Sequence, residues 1–205
     1  MKLSHLNLFP TKVFIADNVL EKEYIDTIKD DILNDSFETK NWQSHPEIHK
    51  ILKYKPLVDK VNYLTTKVFE EKKYVYDTFQ ITNMWSNILK KGEFHRPHTH
   101  SNNILSGVYY VQTNGLVSKD KTSDIHFYDP RLQADVLSPK KSELNFDNAS
   151  VWRIDSFTNR MILFPSWLQH FVPTNDTDNL RISISFNVML KGTVGEPSEF
   201  QSANY

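Results

Sequence analysis

Three histidines fall within six residues of this chain, in the run His95-Arg96-Pro97-His98-Thr99-His100. In extended backbone, residues i and i+2 project from the same side with side chains roughly 7 Å apart. His98 and His100 can therefore converge on one cation, whereas a helix would point them apart. Pro97 adds a bias toward extended structure in the residue before it. A protein-held metal needs at least a third ligand, and His170, in Phe164-Pro165-Ser166-Trp167-Leu168-Gln169-His170, is the leading candidate. A rolled-up β-fold can close the separation of about seventy residues. Each histidine also has a plainer reading: HxH pairs occur on surfaces by chance, and an isolated histidine is usually just hydrogen-bonded.

Eleven residues after His170, Arg181 opens the run Arg181-Ile182-Ser183-Ile184-Ser185-Phe186-Asn187. Ile182, Ile184 and Phe186 share one face, and Arg181, Ser183, Ser185 and Asn187 share the other. The ordinary expectation for such alternation is a strand with one face in the core and one in water. In a barrel the polar face can instead line a ligand cavity. An arginine with a serine two residues on would then grip a carboxylate through charge-assisted hydrogen bonds.

Composition removes several other chemistries. The 205 residues contain no cysteine, which excludes disulfides, thiolate catalysis and cysteine-held zinc. With five glycines and neither a GxGxxG nor a GxxxxGK[ST] string, a phosphate-cradling loop is disfavoured. The net charge of -1 offers no broad basic field for nucleic acid. The N-terminus has no signal-peptide core, and no apolar run approaches membrane-spanning length, so a cytoplasmic protein is the default expectation.

The elements that must position these residues fall into two parts. Val13 to Ala16 reads as a short strand. Asn18 is placed to cap a helix over Leu20 to Leu33, and a second helix is expected from Pro56 to Lys73, with proline in its first turn. From residue 75 the character changes. Tyr76 to Leu89, Ile104 to Gln112, Ile125 to Tyr128, Met161 to Phe164, Trp167 to Val172 and Leu180 to Leu190 read as strands. Turn signals stand between them at Asn114-Gly115, Asp129-Pro130 and Asn175-Asp176. Many short strands at this spacing suggest a β-sandwich or barrel. Ser36 to His49 carries no placeable pattern, Leu132 to Ser150 reads as an insertion or lid loop, and Gly192 to Tyr205 reads as a loose tail. The division expected is one domain: residues 1–74 as helical support, 75–190 as the β-fold and 191–205 as a tail.

The ordered strings His98-Thr99-His100, Ser106-Gly107-Val108-Tyr109-Tyr110, Asp129-Pro130-Arg131, Phe164-Pro165-Ser166-Trp167 and Arg181-Ile182-Ser183 resemble the 2-oxoglutarate/iron(II) oxygenase superfamily. More narrowly, they are similar to a family of oxygenases of this type from bacteria and phages. The resemblance covers roughly residues 75 to 190 and implies a mainly β fold with N-terminal helices around a double-stranded β-helix (jelly-roll, cupin-like) core. It implies iron on His98, His100 and His170, and 2-oxoglutarate chelating the metal by its keto acid end. Arg181 and Ser183 would hold the far carboxylate. Tyr109 and Tyr110 face opposite sides of a strand, and Tyr110 is taken as the one that reaches the co-substrate. The implied reaction is hydroxylation of a small-molecule or peptide substrate by dioxygen, coupled to decarboxylation of 2-oxoglutarate. Membrane and nucleic-acid partners are not expected, and a homodimer is left open.

One departure stands out. The superfamily usually supplies two histidines and one carboxylate, whereas His100 occupies the carboxylate position here. Asp129, and more remotely Glu93, are alternative sources of the missing charge. His95 could replace His98 as a ligand, but it differs from His100 by an odd number and should face away on a regular strand, which favours a supporting or substrate role. Trp85 and Trp167 are expected as core or pocket walls, and Asn83 and Asn87 share a face with Trp85. Two rival readings remain at this point: a cupin-type metalloenzyme that ignores 2-oxoglutarate, and a non-catalytic β-helix binding or structural protein.

Overall fold

A computed structural model describes residues 1–34, 43–113, 124–131, 133 and 136–205. The Asn114-Gly115 turn and much of the start of the 132–150 loop lie outside the described residues.

The first strand is β1 (Phe14–Asp17) and the first helix α1 (Lys22–Asn34). Ile25, Ile28 and Ile32 are its buried residues, spaced for one helical stripe. Asn18 does not cap α1. It ends β1 in the left-handed region at φ 55, and the first helical bond runs from the Ile25 N–H to the Glu21 carbonyl. The second helix, α2 (Lys55–Lys72), has proline in its first turn and buries Leu57, Val61, Val68 and Phe69. It ends where Lys73 turns left-handed and donates its N–H back to the Glu70 carbonyl. No helix among the described residues is long and apolar enough to cross a membrane.

Ten strands follow among the described residues: β2 (Thr78–Leu89), β3 (His95–His98), β4 (Leu105–Gln112), β5 (Ile125–Tyr128), β6 (Val151–Ile154), β7 (Arg160–Pro165), β8 (His170–Val172), β9 (Arg181–Lys191), β10 (Thr193–Glu196) and, after a short 3-10 turn, β11 (Gln201–Asn204). Five strands form one sheet in the order β1-β7-β4-β9-β2, and four form a second in the order β3-β8-β5-β6. Every pairing is antiparallel. This is the two-sheet, mainly β architecture of a jelly roll, with helices before it in the chain.

Period-2 alternation assigns the two faces of the large sheet. Ile182, Ile184, Phe186 and Val188 of β9, with Tyr109 of β4 and Met161 of β7, join the apolar stripes of both helices in one core. The opposite residues, Val108, Tyr110, Ile162 and Phe164, meet Ile125 and Phe127 of the small sheet in a second core. Both faces of β9 are thus buried, and its polar face looks into the space between the sheets rather than into water. Asn159, left-handed at φ 68, ties the halves together. It accepts from the Tyr109 hydroxyl at 3.0 Å and from the Leu20 N–H at 2.9 Å, and donates to the Leu20 carbonyl at 2.8 Å.

Three segments differ from the sequence expectation. Only His170–Val172 of the expected Trp167 to Val172 strand is extended, because the Leu168 N–H closes a turn onto the Pro165 carbonyl and leaves Trp167 exposed. Residues 43–47, which carry no periodicity, lie along the outer edge of β2, bridging Gln43 to Asn87 and Glu47 to Met84 and covering an edge that would otherwise be open. The tail is a β10–β11 hairpin. Both its strands are largely exposed, so no apolar alternation marks them.

Gly107 marks a close approach inside β4. A Cβ there would stand 2.3 Å from a ring carbon of Phe186 and 2.9 Å from the Ile162 carbonyl oxygen. Gly107→Ala is expected to destabilise the fold by about 1–3 kcal/mol through overpacking. Denaturant unfolding would show this as a lower midpoint at constant slope. An unchanged midpoint would mean that Phe186 moves aside freely.

Candidate metal centre

Antiparallel pairing sets His98 of β3 directly across from His170 of β8. His100 follows two residues later, where its N–H donates to the Ser166 carbonyl at 2.9 Å and pins the chain beside the β7–β8 turn. The imidazole centroids lie 4.3 Å apart for His98 and His170, 5.0 Å for His98 and His100, and 5.2 Å for His100 and His170. One ring nitrogen from each lies within 4.8 Å of the others. Among the described residues this is the one group of three histidine or carboxylate side chains that converges so closely.

Hydrogen bonding orients two of the rings for ligation. His98 Nδ1 lies 2.7 Å from the Arg96 carbonyl oxygen and His170 Nδ1 lies 2.9 Å from that of Leu168. A carbonyl only accepts, so each Nδ1 carries the proton and each Nε2 keeps its lone pair. That is the usual support of a metal-bound imidazole. Burial, and then the charge of His98, holds the pKa of His170 down to about 3 and that of His100 down to about 4. These two rings thus stay in the neutral form that metal binding requires.

The same hollow extends to Arg181. It is a cavity of about 550 Å³ between the sheets, walled by the three histidines, His95, Arg181, Ser183, Ser185, Trp85, Asn87 and apolar side chains such as Phe164 and Val172. Arg181 is 1% exposed. Its guanidinium donates to Ser183 Oγ at 3.0 Å and stands 5.1 Å from the centroid of the Tyr110 ring. Burial pulls its pKa down, with Tyr110 opposing, yet guanidinium starts so high that it stays a cation. Tyr110 itself is not on the cavity wall. It backs Arg181 from the inner core, and burial pushes its phenol up to about 12, so it remains a proton donor. Tyr109, on the opposite strand face, bonds Asn159 instead.

His95 does not face away. It pairs with Val172 while His98 pairs with His170, so three steps on β3 match two on β8. The extra residue is a β-bulge. It brings His95 onto the same face as His98 and into the cavity, which a parity count on a regular strand cannot foresee. Asn87 also lines the cavity: its Oδ1 accepts from Trp85 Nε1 and Gln43 Nε2, each at 3.1 Å, and its Nδ2 donates to Ser185 Oγ at 3.0 Å. Asn83, although in register with Asn87 on β2, is not among the lining residues. Gln43 and Phe94 line the cavity without any signal in the sequence. Of the remaining histidines, His126 packs on Phe171, His5 and His45 are exposed, and His49 is half-buried rather than on the surface.

Comparison with known families gives a match over residues 83–187 to the family described as "Putative 2OG-Fe(II) oxygenase". The match spans half of the chain. The protein belongs to this 2OG-Fe(II) oxygenase family. The residues present fit the iron and 2-oxoglutarate that this family uses: three imidazole donors, two with their Nδ1 satisfied, and a buried guanidinium in the same hollow. Solved structures of similar fold superpose over most of their length. HygX from Streptomyces hygroscopicus, with nickel and 2-oxoglutarate bound, aligns at a TM-score of 0.61 with 9% identity, covering 95% of this chain and 91% of that one. A Pseudomonas putida prolyl-4-hydroxylase aligns at 0.61 with 10% identity and 89% of each chain. The 2-oxoglutarate-dependent epimerase SnoN of nogalamycin biosynthesis aligns at 0.63 with 11% identity, covering 87% and 78%. No curated protein matches by sequence.

This oxygenase places no carboxylate in the three-ligand cluster. Asp129 is held by Arg131, with contacts of 3.0 Å and 2.8 Å to its two oxygens, and these hydrogen bonds lower its pKa. Glu93 accepts the Lys90 N–H at 2.7 Å. His100 therefore stands where a carboxylate usually does.

The depressed imidazole pKa values have a consequence for the metal-free protein. In the unfolded chain histidine titrates near ~6.5, and in the fold His100 and His170 titrate at about 4 and about 3. Between those limits the unfolded chain binds protons that the fold refuses, so stability present above pH ~6.5 is lost as pH falls. Chelator-treated protein should show a denaturation midpoint that declines steadily from pH 7 to pH 4, with a shallower decline in His170→Leu. A flat profile would show that these rings accept protons in the fold.

Proposed function

We propose that the protein is a 2-oxoglutarate- and iron(II)-dependent dioxygenase that hydroxylates its substrate. The observation that carries this reading is the shared cavity: three converging imidazoles at one position and the buried Arg181–Ser183 pair at another. His98, His100 and His170 hold the metal through ring nitrogens. Arg181 and Ser183 hold the far carboxylate of 2-oxoglutarate, and Tyr110 keeps the guanidinium in place from behind. When bound, iron with 2-oxoglutarate and dioxygen would supply the oxidation: the C1–C2 bond of 2-oxoglutarate would break with release of carbon dioxide, one dioxygen atom ending in succinate and the other in the new hydroxyl group.

The protein's own contribution is to bind, orient and exclude water. The Phe164, Val172 and Ile125 side chains make the inner wall apolar, which strengthens the guanidinium–carboxylate contact. The Trp85–Asn87–Gln43 network stands on the His100 side, where Trp85 and His100 centroids are 6.0 Å apart. It forms a wall for a small-molecule or peptide substrate that presents hydrogen-bonding groups. Residues 1–74 act as helical support, 75–190 carry the chemistry, and the C-terminal hairpin adds an exposed flank.

Two tests bear on separate parts of the site. His98→Ala and His170→Ala should each cut bound metal sharply in elemental analysis of purified protein, and full occupancy would remove that residue from the ligand set. Arg181→Ala should weaken 2-oxoglutarate binding by a hundredfold or more, as removal of a buried charged partner does, while metal content stays near wild type. Calorimetric titration of 2-oxoglutarate measures this, and unchanged affinity would refute the assignment.

A further inference from the structure

We propose that His95 is a third contact for the far carboxylate of 2-oxoglutarate, its neutral imidazole donating an N–H alongside Arg181 and Ser183. The inference rests on the reading that Arg181 holds this carboxylate.

The β-bulge described above puts His95 on the cavity wall opposite Val172, on the face that carries His98. Position along the chain places it toward the guanidinium. β2 ends at Leu89, directly across from Arg181, and the chain returns to reach His95 before His98. Moving along β3 from His95 to His98 therefore runs from the Arg181 end of the cavity toward the metal ligands. Electrostatics agree: after burial, the charge that most depresses the His95 pKa is that of Arg181, ahead of His98 and His170.

With its pKa near about 3, His95 is a neutral ring beside a permanent cation. It adds no charge to repel the guanidinium, and it offers a donor. A dicarboxylate that spans from the metal to Arg181 brings its far end to this place. The terminal oxygens of a carboxylate offer about four lone-pair positions. A guanidinium fork and one hydroxyl leave room for a further donor. The all-imidazole metal cluster does not use His95, since the converging nitrogens are those of His98, His100 and His170.

The test separates a carboxylate contact from a merely structural role by using two co-substrates. Pyruvate keeps the keto acid end of 2-oxoglutarate and lacks the far carboxylate. Nickel-loaded full-length protein would be titrated with each, for wild type, His95→Leu and His95→Gln, with nickel affinity measured separately. His95→Leu is expected to weaken 2-oxoglutarate binding by roughly ten- to a hundredfold, the effect of one hydrogen bond to a charged group. Pyruvate and nickel affinity should hold, and His95→Gln, which keeps a donor, should recover most of the loss. Equal weakening of both ligands would overturn the proposal in favour of a packing role, and no weakening of either would overturn it outright. If the wild-type protein shows no nickel-dependent 2-oxoglutarate binding, the functional reading itself falls and takes this contact with it.

Discussion

His98 lies across from His170 because β3 and β8 pair antiparallel with one extra residue on the β3 side. The rest of the site depends on that register. A slip by a single residue would reverse which side chains face the cavity, turning His170 outward and breaking the three-imidazole cluster. The pairing is reinforced on both sides: His170 is also opposite Phe127 of β5, and the His100 N–H is tied to the Ser166 carbonyl. Backbone hydrogen bonds therefore do the aligning, and the Nδ1 contacts to Arg96 and Leu168 finish it by fixing how each ring is turned.

Burial gives the site its electrical character. Four imidazoles and a guanidinium stand in one hollow, where burial penalises charge. His95, His100 and His170 respond by staying neutral. Arg181 stays charged because its intrinsic basicity is too high for burial to overcome, and Ser183, Tyr110 and, at longer range, Asp124 soften that burial. A neutral donor cluster favours a metal cation, and a retained cation favours a carboxylate. The two stand in one cavity.

The helical first part of the chain serves this arrangement from outside. Its apolar stripes cover the outer face of the large sheet, which frees the other face to hold polar groups between the sheets. Residues 43–47 close the β2 edge and bring Gln43 to Asn87 in the cavity. Asn159 fixes the junction by bonding Leu20 and Tyr109 together. Without this cover the inverted polarity of β9, apolar toward the helices and polar toward the interior, would have no core on its apolar side.

The sequence by itself determined the strand-rich second half and the two helices, and it singled out His98, His100, His170, Arg181 and Ser183 as candidates that the fold brings to one cavity. Those features live in local periodicity and in short spacings, which side-chain alternation along extended backbone makes readable. The tertiary structure alone decided which face of β9 is interior, since alternation marks two faces without saying which meets solvent. It also decided the place of His95, because a bulge changes parity and leaves no mark in residue type. The same holds for Gln43, delivered by pairing with a distant strand, for Tyr110, which backs Arg181 instead of lining the hollow, and for the exposed hairpin at the C-terminus. Except for the hairpin, whose strands are neighbours in the chain, these depend on contacts between segments far apart in the chain, where spacing along the backbone carries no information about distance in space.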